Sequence, residues 1–471
     1  MAELVRAGGE AHEIAPRGAF SGLKVRFTGP RLCALEVAID ALEGSTRRLV
    51  CHTDGNQVWT VAAAGDEFLS DFAVHPSGEI TLALERTSRD HDGYELVRLG
   101  VSGNVLSRQV LAVTAIPPED RPDLPDPPFL FRSRPPHALA AGWLRVEARG
   151  EDLVSAWLSR IQAPGGGYSN DLALGVGALS WTGETFAERW SRVVEGRHGT
   201  EPAAWTYDEF RWREAAVQPL LAVAEDGTAI VGRSWNVSRC LAVSRTFGEF
   251  TEVQCRGGFP GGAESEYLPI AFTSFTADGV REGTHSYVPD RAAEFVAFDL
   301  AVRGDALALV GAAVFPDPTG NVVRYPPEPG ADPVMVPYDG YAAVLDRRSG
   351  ALRCQKAVDA FGRGDYLAAV RWAADGTLLA AGAAGWDRWY GGMSISRGAD
   401  PWLVALSPSC EPLASRVVNF SSPQRHHYLL GLDAQPGRIA AAGFSDAPMT
   451  HSGDGGNIDQ RMFGGLRIDL R

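Results

Sequence analysis

Short apolar runs broken by turn residues recur along nearly the whole chain. In residues 48–85, RLVCHTDGNQVWTVAAAGDEFLSDFAVHPSGEITLALE, four such runs are separated by DGN, AGDE and PSGE. Runs of this length bounded by Gly, Asp, Asn and Pro predict β-strands joined by tight turns. One template, a strand, a DG-like turn and a second strand ending in small residues, fits 68–87, 215–235, 294–314, 364–385 and 427–446. A second hairpin follows after a variable loop at 94–110, 239–255, 340–358 and 401–418. Residues 49–61 read as another outer hairpin, with 23–42 as a poorly matching inner partner.

A repeating four-stranded unit of roughly 45 residues is the signature of a β-propeller blade, because one twisted sheet cannot bury both faces until its neighbours stack around an axis. The expectation is therefore an all-β, seven-bladed β-propeller, with six or eight blades as the alternatives. The third unit, within 138–194, has the least distinct turns. The last unit ends in FGGLRIDLR (463–471) without a partner hairpin, and LKVRFTG (23–29) is expected to supply its missing outermost strand. Such pairing of N- and C-terminal strands would close the ring without an exposed edge. In this division 1–22 is an N-terminal extension and 23–471 a single propeller domain. Small runs such as AAGAAG and AAAGFS are expected where inner strands crowd at the axis. A pair of packed sheets, the competing architecture, predicts no such difference between inner and outer strands.

Composition agrees with many short elements: 53 Gly and 30 Pro stand against 22% charged residues. A formal net charge of −14 gives no global field for nucleic acid or anionic lipid. The first residues, MAELVRAGGEAHEIAPRG, contain neither a signal-peptide core nor an anchor, and no apolar stretch long enough to span a bilayer follows. Lysine is nearly absent, with Lys24 and Lys356 against 42 arginines. That imbalance reads as codon usage of a GC-rich genome and leaves little room for a Schiff-base lysine. Six cysteines lack any C-x-x-C spacing, leaving disulfides or buried thiols. As neighbours they pair 33 with 51, 240 with 255 and 354 with 410, and disulfides would place the protein outside the cytoplasm with its signal removed.

The repeat text LVCHTDGNQVWTV with DFAVHPSGEITLA, and DPWLVALSPSCEPLASRVV with YLLGLDAQPGRIAAAGF, resembles the β-propeller repeat proteins of exported bacterial origin. The resemblance extends over most of 23–471, rests on structural motifs, and implies a propeller fold, export and a binding or surface role. It carries over no active-site residue.

Alternate strands of a meander reverse direction, so loops joining second to third strands and successive blades share one end. The long segments 116–136, 196–213, 257–291, 315–339, 385–400 and 445–461 are all expected there. Their aromatics, Trp386, Trp389 and Tyr390 beside Asp387, Trp205 and Tyr207, and Tyr325, combine apolar ring faces with polar neighbours and suit a sugar or protein partner. Equally, such rings can cap the blades beneath the loops. No cofactor is expected. Oxygen ligands suited to calcium occur at Asp90, Asp92 and Glu95 and at Asp454, Asn457 and Asp459, although Asp-Gly pairs form turns for their own reasons. His426 and His427 begin a strand and point to opposite faces. Signatures of serine hydrolases, zinc proteases, P-loops and dinucleotide sites are absent.

Two main functions follow, with an intracellular scaffold carrying reduced cysteines as a third option. The first is an exported, non-catalytic protein that binds a glycan or protein partner on the looped face. The alternative is a propeller hydrolase or lyase with its site at the central axis on that face, for which His137, His285 and His451 with Asp317 or Asp387 are available. The two differ in whether ionisable side chains converge on one point.

Overall fold

The computed structural model describes residues 1–7, 11–14, 19–40, 44–53, 56–63, 67–86, 93–111, 144–162, 168–195, 219–233, 237–238, 242–247, 250–255, 270–292, 294–315, 323–324, 334–335, 338–360, 364–386, 399–418, 426–446 and 463–470. One short helix, α1 (Ala2–Ala7), precedes strand β1 (Ala11–Ile14). A four-stranded antiparallel sheet follows, formed by β2 (Ala19–Thr28), β3 (Arg31–Asp40), β4 (Gly44–Thr53) and β5 (Asn56–Ala62). The next contains β6 (Glu67–Val74), β7 (Ile80–Arg86), β8 (Gly93–Leu99) and β9 (Val105–Leu111). Strands β10 (Leu144–Arg149), β11 (Asp152–Gln162), β12 (Tyr168–Trp181) and β13 (Phe186–Glu195) make the third.

In the fourth sheet β14 (Pro219–Val223) and β15 (Ala229–Arg233) pair onward with β19 (Ile270–Phe275) and β20 (Arg281–Tyr287). Between them lie β16 (Val237–Ser238) and a separate hairpin of β17 (Ala242–Phe247) and β18 (Phe250–Cys255). The fifth sheet, β21 (Glu294–Arg303), β22 (Ala306–Val314), β25 (Asp339–Asp346) and β26 (Leu352–Val358), recruits β16 onto β21 and carries a small hairpin of β23 (Val323–Arg324) and β24 (Val334–Met335). Strands β27 (Gly364–Trp372), β28 (Leu378–Trp386), β29 (Asp400–Leu406) and β30 (Pro412–Val417) form the sixth. The last comprises β31 (His426–Gln435), β32 (Arg438–Asp446), β33 (Phe463–Leu470) and β1.

The architecture is an all-β β-propeller. Its first strands contact one another in a closed ring, β2 to β6, β10, β14, β21, β27, β31 and back to β2. Seven uniform four-stranded blades were expected from the repeat. Instead six sheets have four strands, and the remaining sheet has five because β16 returns from the preceding sheet to cover the edge of β21.

Three sequence expectations are corrected. Closure does join the two ends of the chain, but β1 supplies the outermost strand, with Ala11 opposite Ile468 and Ile14 opposite Gly465. Residues 23–29 instead fall mainly within β2, whose ten residues are long enough to serve as a first strand at the axis. Residues 1–22 are therefore partly inside the ring. Helix α1 also packs on β29 and β30, with Val5 buried and the Met1 ammonium 2.9 Å from Asp375. Second, 239–255 is an inserted hairpin, and the outer strands of its sheet come from 270–287, which the loop assignment 257–291 had included. Third, the alanine runs lie in second strands β28 and β32. There Ala380, Ala381, Ala440 and Ala441 are buried on both faces between neighbouring sheets.

Two disulfides fix the sheets. Cys33 and Cys51 face each other across β3 and β4, fully buried, and Cys354 of β26 joins Cys410 in the β29–β30 turn of the next sheet. The expected partnership of Cys240 with Cys255 lies outside the described residues.

Candidate functional site

One register repeats along the seven first strands: Lys24-Val25-Arg26, Asp71-Phe72-Ala73, Arg145-Val146-Glu147, Leu221-Ala222-Val223, Asp299-Leu300-Ala301, Ala369-Val370-Arg371 and Gly431-Leu432-Asp433. The middle residue of each triplet is buried in the packing between sheets. Side chains alternate along a strand, so the flanking residues turn towards the axis. Four cations and four carboxylates thereby reach the centre from six of these strands.

Backbone irregularity sharpens the convergence. A register shift skips Leu23, Ser70, Phe298, Ala368 and Leu430 in β2, β6, β21, β27 and β31. Each is the residue immediately before the triplet. A bulge bends the strand and re-aims the next side chain. Ser70, Phe298, Ala368 and Leu430 consequently line an axial cavity of about 80 Å³ together with Lys24, Arg26, Asp71, Arg145, Glu147, Asp299 and Arg371. Gly431 belongs to the same wall. A Cβ there would stand 2.8 Å from the Lys24 Cα, so only glycine permits this approach of β31 to β2.

The charges are paired across strands. Lys24 Nζ lies 2.8 Å from Asp71 Oδ1 and 3.2 Å from Glu147 Oε1, and it donates to the Val146 carbonyl at 3.2 Å. Arg26 Nη2 donates to the same Glu147 oxygen at 2.7 Å. Arg371 Nη1 donates to Asp299 Oδ2 at 2.9 Å, and Arg145 Nη1 stands 4.0 Å from Asp71. Three carboxylates also accept a backbone N–H from the next strand of the ring: Asp71 from Val146 at 2.9 Å, Asp299 from Val370 at 3.0 Å and Asp433 from Phe27 at 2.7 Å.

Burial lowers the affinity of Lys24 for its proton below the ordinary lysine value, and the nearby Arg26 and Arg145 reinforce that, although Asp71 and Glu147 oppose it. For Glu147 burial acts upwards, but Arg26, Lys24 and Arg371 together hold its carboxyl well below the usual range. At its deepest point Lys24 is only 5% exposed and Asp71 1%, while the side chains of Arg145 and Glu147 are 22% and 28% exposed.

Its position differs from the expected one. Lys24, Asp71 and Asp299 are mid-strand, and Arg26, Arg371 and Asp433 lie within two residues of the strand ends that enter tight turns. The convergence is therefore in the middle of the channel and towards its tight-turn end, because the bulges sit there.

Of the residues singled out from sequence, Trp386 ends β28 and pairs with Gly364. Asp387, Trp389, Tyr390, Trp205, Tyr207, Tyr325, Asp454 and Asp459 lie outside the described residues, as do His137, His451, Asp317, Asp90 and Asp92. Glu95 is buried in β8, 3.6 Å from Arg108. His285 is on β20, the outermost strand of its sheet, so it is removed from the axis. Beside Trp386, the buried Asp365 accepts N–H bonds from Gly385 at 2.8 Å and Ala360 at 2.6 Å. Burial, and then the neighbouring Asp359, push its pKa up to about 7 and that of Asp339 to about 6.

The axial residues carry no motif and lie in strands, whereas the aromatic residues singled out from sequence lie in long segments expected as loops. A signal was present nonetheless: LKVRF, LRVEA and AVRW place charges at alternate positions of strands that are otherwise apolar. On a strand that faces an axis such charges must meet one another.

No family model matches the chain, and no curated protein matches it either. Among solved structures it is similar to a europium-containing methanol dehydrogenase, at 10% identity and a TM-score of 0.39 over 98% of this chain and 92% of that one. A GH93 α-L-arabinofuranosidase of Fusarium graminearum in complex with arabinobiose matches at 10% identity and a TM-score of 0.40, over 85% and 92%. A puromycin-hydrolyzing peptidase of Mycobacterium tuberculosis matches at 12% and 0.42, over 94% of this chain and 55% of the other.

The expectation of a non-catalytic binding protein is corrected: ionisable side chains from five strands converge on one small cavity, the arrangement that separates a catalytic centre from a broad binding patch.

Proposed function

We propose that the chain is a propeller-type hydrolase or lyase whose chemistry takes place in the axial cavity. One observation carries the reading, the convergence of Lys24, Asp71, Arg145, Glu147, Asp299 and Arg371 around a cavity of about 80 Å³. Fixed charges beside the deeply buried Lys24 and Asp71 would act on a developing charge with less screening than at the surface. The cavity has room for a reacting group of a few atoms. The rest of a substrate would lie outside it.

We count the five-stranded sheet as one more blade of the ring. The two disulfides support a location outside the cytoplasm, where such bonds persist. Among the described residues no helix is long and apolar enough to cross a membrane.

The test is a turnover screen over glycosides, uronides, esters and peptides with the parent chain and Arg145→Ala, whose side chain is 22% exposed. Turnover of one class by the parent, lost in the variant, is expected. No turnover of any class by the parent would remove the enzymatic reading.

A further inference from the structure

The chain contains 44 basic side chains, of which only Lys24 and Lys356 are lysines. One of the two sits at the centre of the ring. Every other cation of the cavity, Arg26, Arg145 and Arg371, is an arginine. An ion pair that only ties strands together is served better by arginine, which is always charged and offers a planar fork of donors. Lysine differs in being able to give up its proton when desolvated. Its occurrence here, in a chain that otherwise uses arginine almost throughout, calls for that difference.

Building on the hydrolytic reading above, we propose that Lys24 is the side chain that exchanges a proton with the substrate, and that the substrate is one whose scissile bond leaves through oxygen, a glycoside or an ester. The geometry permits the exchange. Of the three groups that Lys24 Nζ meets, Asp71 is close at 2.8 Å, whereas Glu147 Oε1 and the Val146 carbonyl are each at 3.2 Å. Glu147 is held independently by Arg26 at 2.7 Å. Lys24 can therefore turn one N–H from Glu147 to a substrate oxygen without leaving a buried carboxylate unpaired.

In the reaction one N–H bond of the Lys24 ammonium breaks and its electron pair stays on Nζ. The proton passes to the leaving oxygen as the bond from that oxygen to the rest of the substrate breaks. A water molecule then adds its hydroxide to the other fragment and returns its proton to Nζ, so the lysine ends as it began. Burial acts first on the proton affinity of Lys24 and lowers it, and the charges facing it then act in both directions: Asp71 from β6 and Glu147 from β10 raise it, and Arg145 from β10 and Arg26 from its own strand lower it. Asp299, Arg371 and Asp433 complete the surrounding ring.

The test uses the full chain as parent, Lys24→Arg and Lys24→Met. On the substrate class found by the turnover screen, Lys24→Arg should lower kcat by about 100-fold or more, leave KM within about threefold, and abolish the fall in rate at high pH that reports loss of the Lys24 proton. A variant with the parent's kcat and the same alkaline limb would overturn the proposal while leaving the enzymatic reading intact. A second measurement does not need activity or a variant that folds well. With ¹³C-labelled lysine the parent shows two lysine side chains, and their Cε shifts are followed against pH. Lys24 titrating below Lys356 supports the proposal, and Lys24 titrating at or above Lys356 overturns it. If the parent turns over nothing, the reading as an enzyme falls on the screen alone, and the catalytic role of Lys24 falls with it.

Discussion

Asp71 Oδ2 accepts the backbone N–H of Val146 at 2.9 Å while its Oδ1 lies 2.8 Å from Lys24 Nζ, so one carboxylate joins β2, β6 and β10 at the axis. Removing its charge takes from the buried Lys24 ammonium its shortest ion pair and leaves Glu147 at 3.2 Å as the remaining carboxylate partner. Asp71→Ala should lower unfolding free energy by about 3 kcal/mol or more, the usual cost of breaking a buried pair from one side. Asp71→Asn should cost less, since its amide oxygen still accepts from Val146. Urea unfolding of the two variants would check the order, and equal losses would show that the backbone bond contributes nothing.

Gly431 is expected to tolerate no side chain. With a Cβ placed 2.8 Å from the Lys24 Cα and 3.0 Å from the Val25 nitrogen, Gly431→Ala must push β31 from β2. Overpacking of this kind costs about 1–3 kcal/mol. A melting temperature equal to that of the parent would mean that the two strands separate freely, against the close contact described above.

The two disulfides should differ in accessibility. Cys33 and Cys51 are both fully buried, whereas the second bridge joins a buried Cys410 to a half-buried Cys354. Mild reductant followed by alkylation and mass spectrometry should find Cys354 and Cys410 modified first. Their bridge closes a loop spanning a sequence separation of 56 residues, against 18 for the other. Chain entropy then gives about 4 kcal/mol for the longer loop and about 3 for the shorter.

Stability should fall as pH rises from about 4 to 7 through two carboxyls. Asp365 and Asp339 have folded pKa values of about 7 and about 6, above an ordinary aspartate at 3.8, because Asp365 is buried and Asp339 half-buried, and both feel Asp359. A group raised in this way binds its proton more tightly when folded. Its contribution is complete below the unfolded value and disappears as pH rises through the folded one. Denaturant midpoints measured from pH 4 to 8 should show this decline for the parent and a shallower one for Asp365→Asn. Identical slopes would exclude Asp365 as its source. Paired acids such as Asp226 and Glu147, whose values are lowered, act in the opposite sense below pH 4.

Much of the fold was legible because blades are local. A strand, a tight turn and the next strand occupy neighbouring residues, so 68–87, 364–385 and 427–446 declare their hairpins in the order of apolar and turn residues alone. Legibility failed where pairing is distant in sequence. Nothing in AHEI or AIVGR announces a partner, yet β1 crosses to β33 and β15 passes over the inserted hairpin to β19.

The candidate site divides in the same way. Its charged residues were visible at alternate positions of LKVRF and LRVEA, but their meeting was not, because Lys24, Asp71 and Glu147 come from three strands separated by long stretches of chain. The sequence by itself determined the strand-and-turn repeat, the absence of a large positive field and the scarcity of lysine, all properties of residues in order. Only the tertiary structure decided which strand closes the ring, which face of each first strand looks inward and which charges share the axis. Those depend on register and on five bulges, where a single skipped residue redirects the side chains that follow it.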